Sequence, residues 1–240
     1  MRRSHLLPVA VAAGLAGICM TTAPAGGQAD ARIRRLHPAS FTTRIDNPWL
    51  PMSPGTTMTY DGVKDGVSQR DVVRVTRRTR TVAGVRCRVI DDRVYQGGHL
   101  SERTRDYYAQ DRHGSVWYFG EDTAELDAHG RVTSTEGTWH AGVDGARPGL
   151  FMPARPRVGE HHRQEYLKGH AEDQFRVMSL NAVIAVPYGR FRGALRTREW
   201  SRLEPGVRDA KVYVRGIGEV FEGSVRGPRE SAELVSVRRP

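Results

Sequence analysis

The stretch RDVVRVTRRTRTVAGVRCRVIDDRVY, residues 70–95, decides the fold class of the chain. In its first half, Val73 and Val75 alternate with polar side chains. After Ala83-Gly84 the alternation resumes to the end of the stretch. Successive side chains of a strand point to opposite faces of a sheet, and a short turn with glycine between two such runs is typical of a β-hairpin. The stretch therefore predicts two antiparallel strands with one apolar face.

Similar runs, separated by turn residues at short intervals, continue on both sides of this hairpin. The predicted strands are residues 56–60, 70–78, 85–95, 100–110, 115–121, 131–139, 161–168, 172–180, 183–186, 191–200, 211–215, 218–222 and 232–237. Turns are predicted at Asp61-Gly62 and Asp65-Gly66, among other places. No segment keeps a helical apolar stripe of useful length. The predicted fold class is mostly β: a single antiparallel meander that forms a curved sheet or a partly open barrel, with few short helices.

Residues 141–153, AGVDGARPGLFMP, interrupt the strand pattern. Their content of glycine and proline is too high for a regular strand, because proline removes a donor from the ladder. We therefore predict a long loop. Long loops on a rigid sheet often carry function.

The N-terminus has the pattern of a signal peptide. Arg2 and Arg3 precede an apolar run, and Ala23-Pro24-Ala25 matches an A-x-A cleavage site. The apolar run is about 15 residues long, whereas a bilayer-spanning helix needs about 20. The mature chain is therefore expected to be secreted or extracytoplasmic and to have no transmembrane segment, by either the general secretory or the twin-arginine route. Three segments are predicted: a cleaved signal peptide at residues 1–25, a disordered lead at residues 26–40 and a single antiparallel β domain at residues 41–240.

The composition narrows the classes of partner. The net charge of +10 fits nucleic acid, anionic lipid or an acidic cell-wall polymer as partners. The arginines alternate with other residues along the predicted strands, as in residues 74–78, and form no basic tract with stacking aromatic residues. We therefore expect a solvated strand face, exclude nucleic acid and keep an acidic envelope component as a partner.

Cys87 is the only cysteine after residue 25, so the mature chain cannot form an internal disulfide. Alternation places it on the apolar face with Val85 and Val89. The pattern predicts a buried, inert thiol.

The sequence lacks G-x-S-x-G, H-E-x-x-H, C-x-x-C and P-loop motifs, which excludes the commonest hydrolase, protease, redox and nucleotide-binding classes. His161 and His162 are neighbours on a predicted strand, so they point to opposite faces and do not predict a metal site. Asp111, Asp127 and Asp144 lack the spacing of a calcium loop and are predicted to cap turns. No cofactor and no metal are expected.

Four blocks are long and unusual: DYYAQD at 106–111, VWYFGED at 116–122, AGVDG at 141–145 and VPYG at 186–189. Together with the signal peptide pattern, they resemble a family of uncharacterised exported bacterial β proteins. This resemblance implies an extracytoplasmic location and a β fold, and it carries over no catalytic residue. The order of the hairpins is also similar to the curved sheets of periplasmic lipid and lipoprotein carriers, which wrap an apolar cavity. Such a likeness of fold does not determine function.

Three functional hypotheses follow. The first is a non-catalytic binding module for a lipid or another apolar or amphipathic small molecule. The alternative is a cell-surface or envelope interaction protein, and the third is a secreted hydrolase that uses carboxylates near Glu121 or Glu136. The predicted ligand-binding residues of the first hypothesis are Tyr108, Trp117, Phe119, Glu121 and Trp139. The four aromatic residues among them would equally suit the core of a β domain. No catalytic residue is predicted.

Overall fold

A computed structural model describes residues 37–240 of the chain. The predicted signal peptide, 1–25, and most of the predicted lead, 26–40, lie outside the described residues. The described part has a short 3-10 turn at Pro38–Ser40, sixteen strands and no α-helix. The strands are, in chain order, β1 (Phe41–Thr42), β2 (Thr57–Lys64), β3 (Val67–Val82), β4 (Val85–Gln96), β5 (His99–Asp111), β6 (Val116–Leu126), β7 (Val132–Ser134), β8 (Trp139–His140), β9 (Arg147–Met152), β10 (His161–Arg163), β11 (Glu165–Tyr166), β12 (Asp173–Val186), β13 (Gly189–Ser201), β14 (Arg208–Val214), β15 (Gly218–Arg226) and β16 (Glu230–Arg238).

The strands form one antiparallel sheet in the order β10-β12-β13-β14-β15-β16-β2-β3-β4-β5-β6-β9-β11. Strand β1 pairs with the end of β5, β7 with the end of β6 and β8 with the middle of β6. The two ends of the order, β10 and β11, are joined by the single residue Gln164, whose N–H donates to the carbonyl of Asp173 at 2.8 Å. The sheet is therefore a nearly closed barrel with one open seam, which confirms the predicted fold class.

The predicted turn at Asp61-Gly62 is wrong, because both residues lie within β2. The chain reverses at Asp65-Gly66 instead, where both residues have positive φ. Gly62 serves a different purpose. A Cβ at this position would overlap the carbonyl oxygen of Ser231 on β16, so glycine allows the two strands to approach.

The predicted loop at 141–153 is also wrong in its second half, where β9 pairs with β6 and β11. A Cβ at Gly149 would overlap the backbone of Gln164, so this glycine marks a close approach of two strands. The predicted strand at 131–139 is instead the two short strands β7 and β8. Residues 172–180 and 183–186 belong to one strand, β12, which is interrupted by register shifts.

The two ends of the barrel interior differ in polarity. Beside the β3–β4 turn, Val82 and Val85 are buried in the apolar core. Beside the β2–β3 and β4–β5 turns, at the other end, the buried residues include Gln69, Asp71 and Glu102. Because successive turns of a meander lie at opposite ends, the barrel has an apolar end and a polar end.

The segment before β2 covers the apolar end. Trp49, Leu50 and Met52 are buried there. The carbonyl of Pro48 accepts a hydrogen bond from the N–H of Gly216 in the β14–β15 turn, at 2.8 Å. The apolar end of the barrel is therefore closed by the chain's own N-terminal segment.

Candidate functional site

Three of the five predicted site residues, Tyr108, Glu121 and Trp139, are buried inside the barrel. Tyr118 joins them, with its ring centroid 4.7 Å from that of Tyr108 and 5.3 Å from that of Trp139. Burial raises the pKa of Tyr108, and the negative charges of Asp106 and Glu121 raise it further. The structure therefore brings these three predicted residues into one buried cluster.

The other two, Trp117 and Phe119, lie one residue to either side of Tyr118 on β6, so they point to the outer face of the sheet. Phe41 contacts both rings edge-on, at centroid distances of 6.4 and 5.3 Å. The indole N–H of Trp117 donates to Oδ2 of Asp111 at 2.9 Å. The five predicted residues thus take two faces of the sheet: three lie on the interior face and two on the outer face.

The interior around Tyr108 is rich in carboxyl groups. The hydroxyl of Tyr118 donates to Oδ1 of Asp106 at 2.8 Å. Burial raises the pKa of both Asp106 and Glu165 well above the ordinary range. The hydroxyl of Tyr108 is fully buried and has no hydrogen-bond partner within residues 37–240.

A buried lysine lies among the carboxyl groups of β13 and β15. Nζ of Lys211 is 3.5 Å from Glu199, 3.9 Å from Glu219 and 3.6 Å from Glu222. Burial tends to lower the pKa of Lys211, but the three negative charges outweigh it and the pKa is raised. Burial raises the pKa of Glu219 to about 8, because Lys211 offsets only part of that effect. This network forms a charged layer within the core.

Apolar side chains of residues 37–240 pack closely in the barrel interior. A cavity of about 30 Å³ lies between Leu50, Met58 and Ile217. This volume suits about one water molecule, whereas pockets for drug-sized ligands measure roughly 300–1,000 Å³. This cavity is therefore too small for a drug-sized ligand.

The outer face carries a larger concave feature. Arg74 on β3, Arg93 on β4, Arg238 on β16 and the adjacent Arg239 line a groove of about 500 Å³. We call this feature the arginine groove. Arg74, Arg93 and Arg238 are exposed, and none of them forms an ion pair with another of the described residues.

One carboxylate, Asp91, lines the arginine groove. Nη2 of Arg78 donates to both of its oxygens at 2.6 Å, and Nε of Arg105 lies 3.9 Å away. Asp91 is therefore already neutralised by residues other than those that line the groove. Arg93 in turn faces Arg103 directly across the β4–β5 pair, so positive charge extends beyond the residues that line the groove.

A compact polar cluster lies next to the groove, where Asp122 on β6 is opposite Arg105 in register. Asp122 accepts hydrogen bonds from Arg80, from the Tyr107 hydroxyl and from Nε2 of His140, the last at 2.8 Å. Burial tends to raise the pKa of Asp122, but these donors and the charge of Arg80 outweigh it and lower the pKa. The cluster ties β8 to the outer face of the sheet.

Within residues 37–240, no three His, Cys, Asp or Glu side chains are arranged to hold a metal ion. The described part of the chain also has no helix of the length and apolar character needed to cross a membrane.

Strand alternation places Arg74 and Arg93 on a polar face, so sequence reasoning could identify them as exposed. It could not show that β16 pairs with β2, which brings Arg238 beside Thr57 and two strands away from Arg74. The sequence interpretation of the arginines as a solvated strand face therefore missed the groove.

No protein-family model matches the chain. No curated protein matches it either. Two solved structures align with most of the chain. One, from Bacteroides fragilis, is described as an exported protein with a YmcC-like fold; it has a TM-score of 0.46 and 13% identity, and the alignment covers 80% of this chain and 99% of that chain. The other, described as a lipoprotein of Parabacteroides distasonis, has a TM-score of 0.42 and 10% identity, with 79% and 98% covered. The family resemblance of the sequence blocks stays a prediction.

Proposed function

We propose that the chain is an exported, non-catalytic binding module that binds an acidic component of the cell envelope in the arginine groove. The observation that carries this proposal is the concave groove lined by four arginines, of which Arg74, Arg93 and Arg238 form no ion pair with the described residues. A guanidinium group presents a planar fork of donors that matches carboxylate and phosphate groups.

Export is supported by the sequence pattern of residues 1–25. We expect the protein recovered outside the cytoplasm to begin after Ala25, and N-terminal sequencing of the exported form tests this. An intact N-terminus on the exported protein would contradict the cleavage.

The groove itself is tested with two charge-matched double variants of the exported protein. Arg74→Ser/Arg93→Ser removes two groove arginines. Arg176→Ser/Arg198→Ser removes two exposed arginines that face each other across β12 and β13, outside the groove. Each variant is incubated with isolated bacterial envelope, and the bound fraction is measured by co-sedimentation.

The groove variant should bind about tenfold or more weakly, because each lost charge-assisted hydrogen bond is worth about 1.5–3 kcal/mol. The control variant should bind nearly as well as the wild type. Equal losses in both variants would mean that net charge alone drives the binding, and the proposal would fail.

Binding of an apolar ligand by Tyr108, Trp117, Phe119, Glu121 and Trp139 stays a prediction. The small volume of the apolar cavity and the mutual packing of these residues favour the groove over it. Native mass spectrometry of the exported protein tests the prediction, and a co-purifying lipid would restore the apolar ligand as the leading hypothesis.

A secreted hydrolase that uses carboxylates near Glu121 or Glu136 stays a prediction. Glu121 is buried in the barrel interior, whereas Glu136 is exposed between β7 and β8. Only Glu136 is therefore accessible to a large substrate in solution.

A further inference from the structure

The arginine groove continues into a second groove of about 230 Å³, which is lined by Arg77 and Arg78 among other residues. The two grooves share Gly55, Arg74 and Asp91. The recess is thus elongated, and Arg74 lies in its middle.

The strand register gives this recess a direction. Arg238, Thr57, Arg74 and Asp91 line the first groove and are successive partners across β16, β2, β3 and β4. Neighbouring strands lie about 4.8 Å apart, so this row extends over roughly 14 Å. From Arg74 the second groove continues along β3 to Arg77 and Arg78. A single small anion could not contact the whole row, whereas an extended chain with repeated anionic groups could.

A membrane surface fits the recess less well than a chain does. Peripheral membrane binding combines positive charge with apolar side chains that enter the bilayer. None of the large apolar side chains that are exposed in residues 37–240 lines either groove. A planar surface would also contact only the rims of a concave site.

Building on the proposed function, we propose that the ligand is a linear chain bearing repeated phosphate groups, which crosses β16, β2 and β3 from Arg238 to Arg74 and then follows β3 to Arg77. The tetrahedral oxygens of a phosphate accept hydrogen bonds from guanidinium groups on two neighbouring strands at once.

The test uses the exported protein and four probes: inorganic orthophosphate, tripolyphosphate, a long polyphosphate chain, and vesicles of a neutral phospholipid mixed with phosphatidylglycerol. Binding is measured by titration calorimetry at one salt concentration. The variants are Arg77→Ser, Arg74→Ser/Arg93→Ser and the control Arg176→Ser. Circular dichroism checks that each variant keeps the β fold.

We expect affinity per phosphate group to rise at least about tenfold from orthophosphate to the long chain, because contacts along one chain act together. Arg77→Ser should weaken binding of the long chain about threefold or more, because one charge-assisted contact in the second groove is lost. The same variant should leave tripolyphosphate binding unchanged, since this short anion does not extend as far as Arg77. Arg176→Ser should leave both affinities unchanged.

Three results would overturn the inference. Equal affinity for tripolyphosphate and the long chain, with no effect of Arg77→Ser, would define a short anion site and leave the proposed function intact. Equally tight binding of vesicles, lost in Arg74→Ser/Arg93→Ser, would assign the groove to a membrane surface. Equal binding of every probe by the wild type and the double variant would remove the proposed function as well.

Discussion

Two neighbouring tyrosine hydroxyls in the barrel interior have opposite surroundings. The Tyr118 hydroxyl donates to Asp106 at 2.8 Å, whereas that of Tyr108 has no partner among the described residues. Tyr118→Phe should lower the free energy of unfolding by about 1–3 kcal/mol, because it leaves a buried acceptor without its donor. Tyr108→Phe should leave the free energy unchanged or raise it. Urea denaturation of both variants measures the difference.

Each phenylalanine variant serves as the control for the other, since both remove one hydroxyl from the same ring cluster. Equal losses of stability would show that the hydroxyl of Tyr108 also has a partner, such as a buried water.

Single buried residues were predictable where strand alternation alone decides burial. Cys87 was predicted to be a buried thiol and is fully buried, and burial raises its pKa to about 12. Asp106 and Glu165 were not predicted. Asp106 alternates regularly with Thr104 and Tyr108 along β5, so it takes the interior face, but a carboxyl group is not expected to be buried from its residue type. Glu165 lies in the two-residue strand β11 beside the seam, where there is no alternation to follow.

At the scale of elements, two hairpin turns share the Asp-x-x-Gly pattern but differ in their contacts. Oδ1 of Asp111 accepts the N–H groups of His113 and Ser115, and Oδ2 accepts the indole N–H of Trp117. Oδ1 of Asp127 accepts only two N–H groups of its own turn. The predicted turn-capping role of both residues is confirmed.

Asp111→Ala should therefore destabilise the protein by about 1–3 kcal/mol and Asp127→Ala by clearly less, because only the first leaves a part-buried indole donor unpaired. Thermal denaturation of the two variants measures both effects. A larger loss in Asp127→Ala would contradict this account of the turns.

The strands β3, β4 and β5 were predictable because each has a clear period of two and is followed by a turn that contains glycine. The strand β9 was not, because Pro148 and Gly149 normally indicate a loop. Here β9 lies between β6 and β11, and the glycine is required by the close approach of Gln164. The amino-acid composition of a segment indicates only its local conformational preference. At this edge of the sheet, the pairing of β9 with β6 and β11 overrides that preference.

At the scale of the whole molecule, the acidic interior should make stability depend on pH. Burial raises the pKa of Asp173 and of Glu219 to about 8 each. In the unfolded chain both groups return to ordinary values near 4, so between about pH 5 and pH 8 the folded state holds protons that the unfolded state has released. The free energy of unfolding should therefore fall as pH rises through this window, by on the order of 1 kcal/mol per pH unit for each group.

Urea denaturation at several pH values between 5 and 8 tests this dependence. Glu219→Gln should flatten the slope, since the amide does not titrate. Asp122→Asn is the control and should leave the slope unchanged. The pKa of Asp122 is lowered, so its titration changes the free energy of unfolding only in more acidic solutions. Stability that rises with pH over the same window would contradict a protonated interior.

The candidate site could be predicted only in part. Exposure of Arg74 and Arg93 follows from alternation, but the groove needs the pairing of β16 with β2, which joins residues far apart in the chain. The predicted aromatic residues were correctly placed on strands, yet their grouping depends on which face each one takes. Trp117 and Phe119 therefore lie apart from Tyr108 and Trp139.

The central claim is that the arginine groove binds an acidic ligand. The most direct test of this claim is the dependence of binding on salt concentration. The affinity of the exported protein for a long polyphosphate chain is measured over a series of salt concentrations. The slope of log K against log salt should become shallower by about one to two units in Arg74→Ser/Arg93→Ser. Each phosphate contact that forms on binding releases counterions, and the variant forms up to two fewer contacts. It should stay at the wild-type value in Arg176→Ser/Arg198→Ser. A groove variant with the wild-type slope and affinity would contradict the claim.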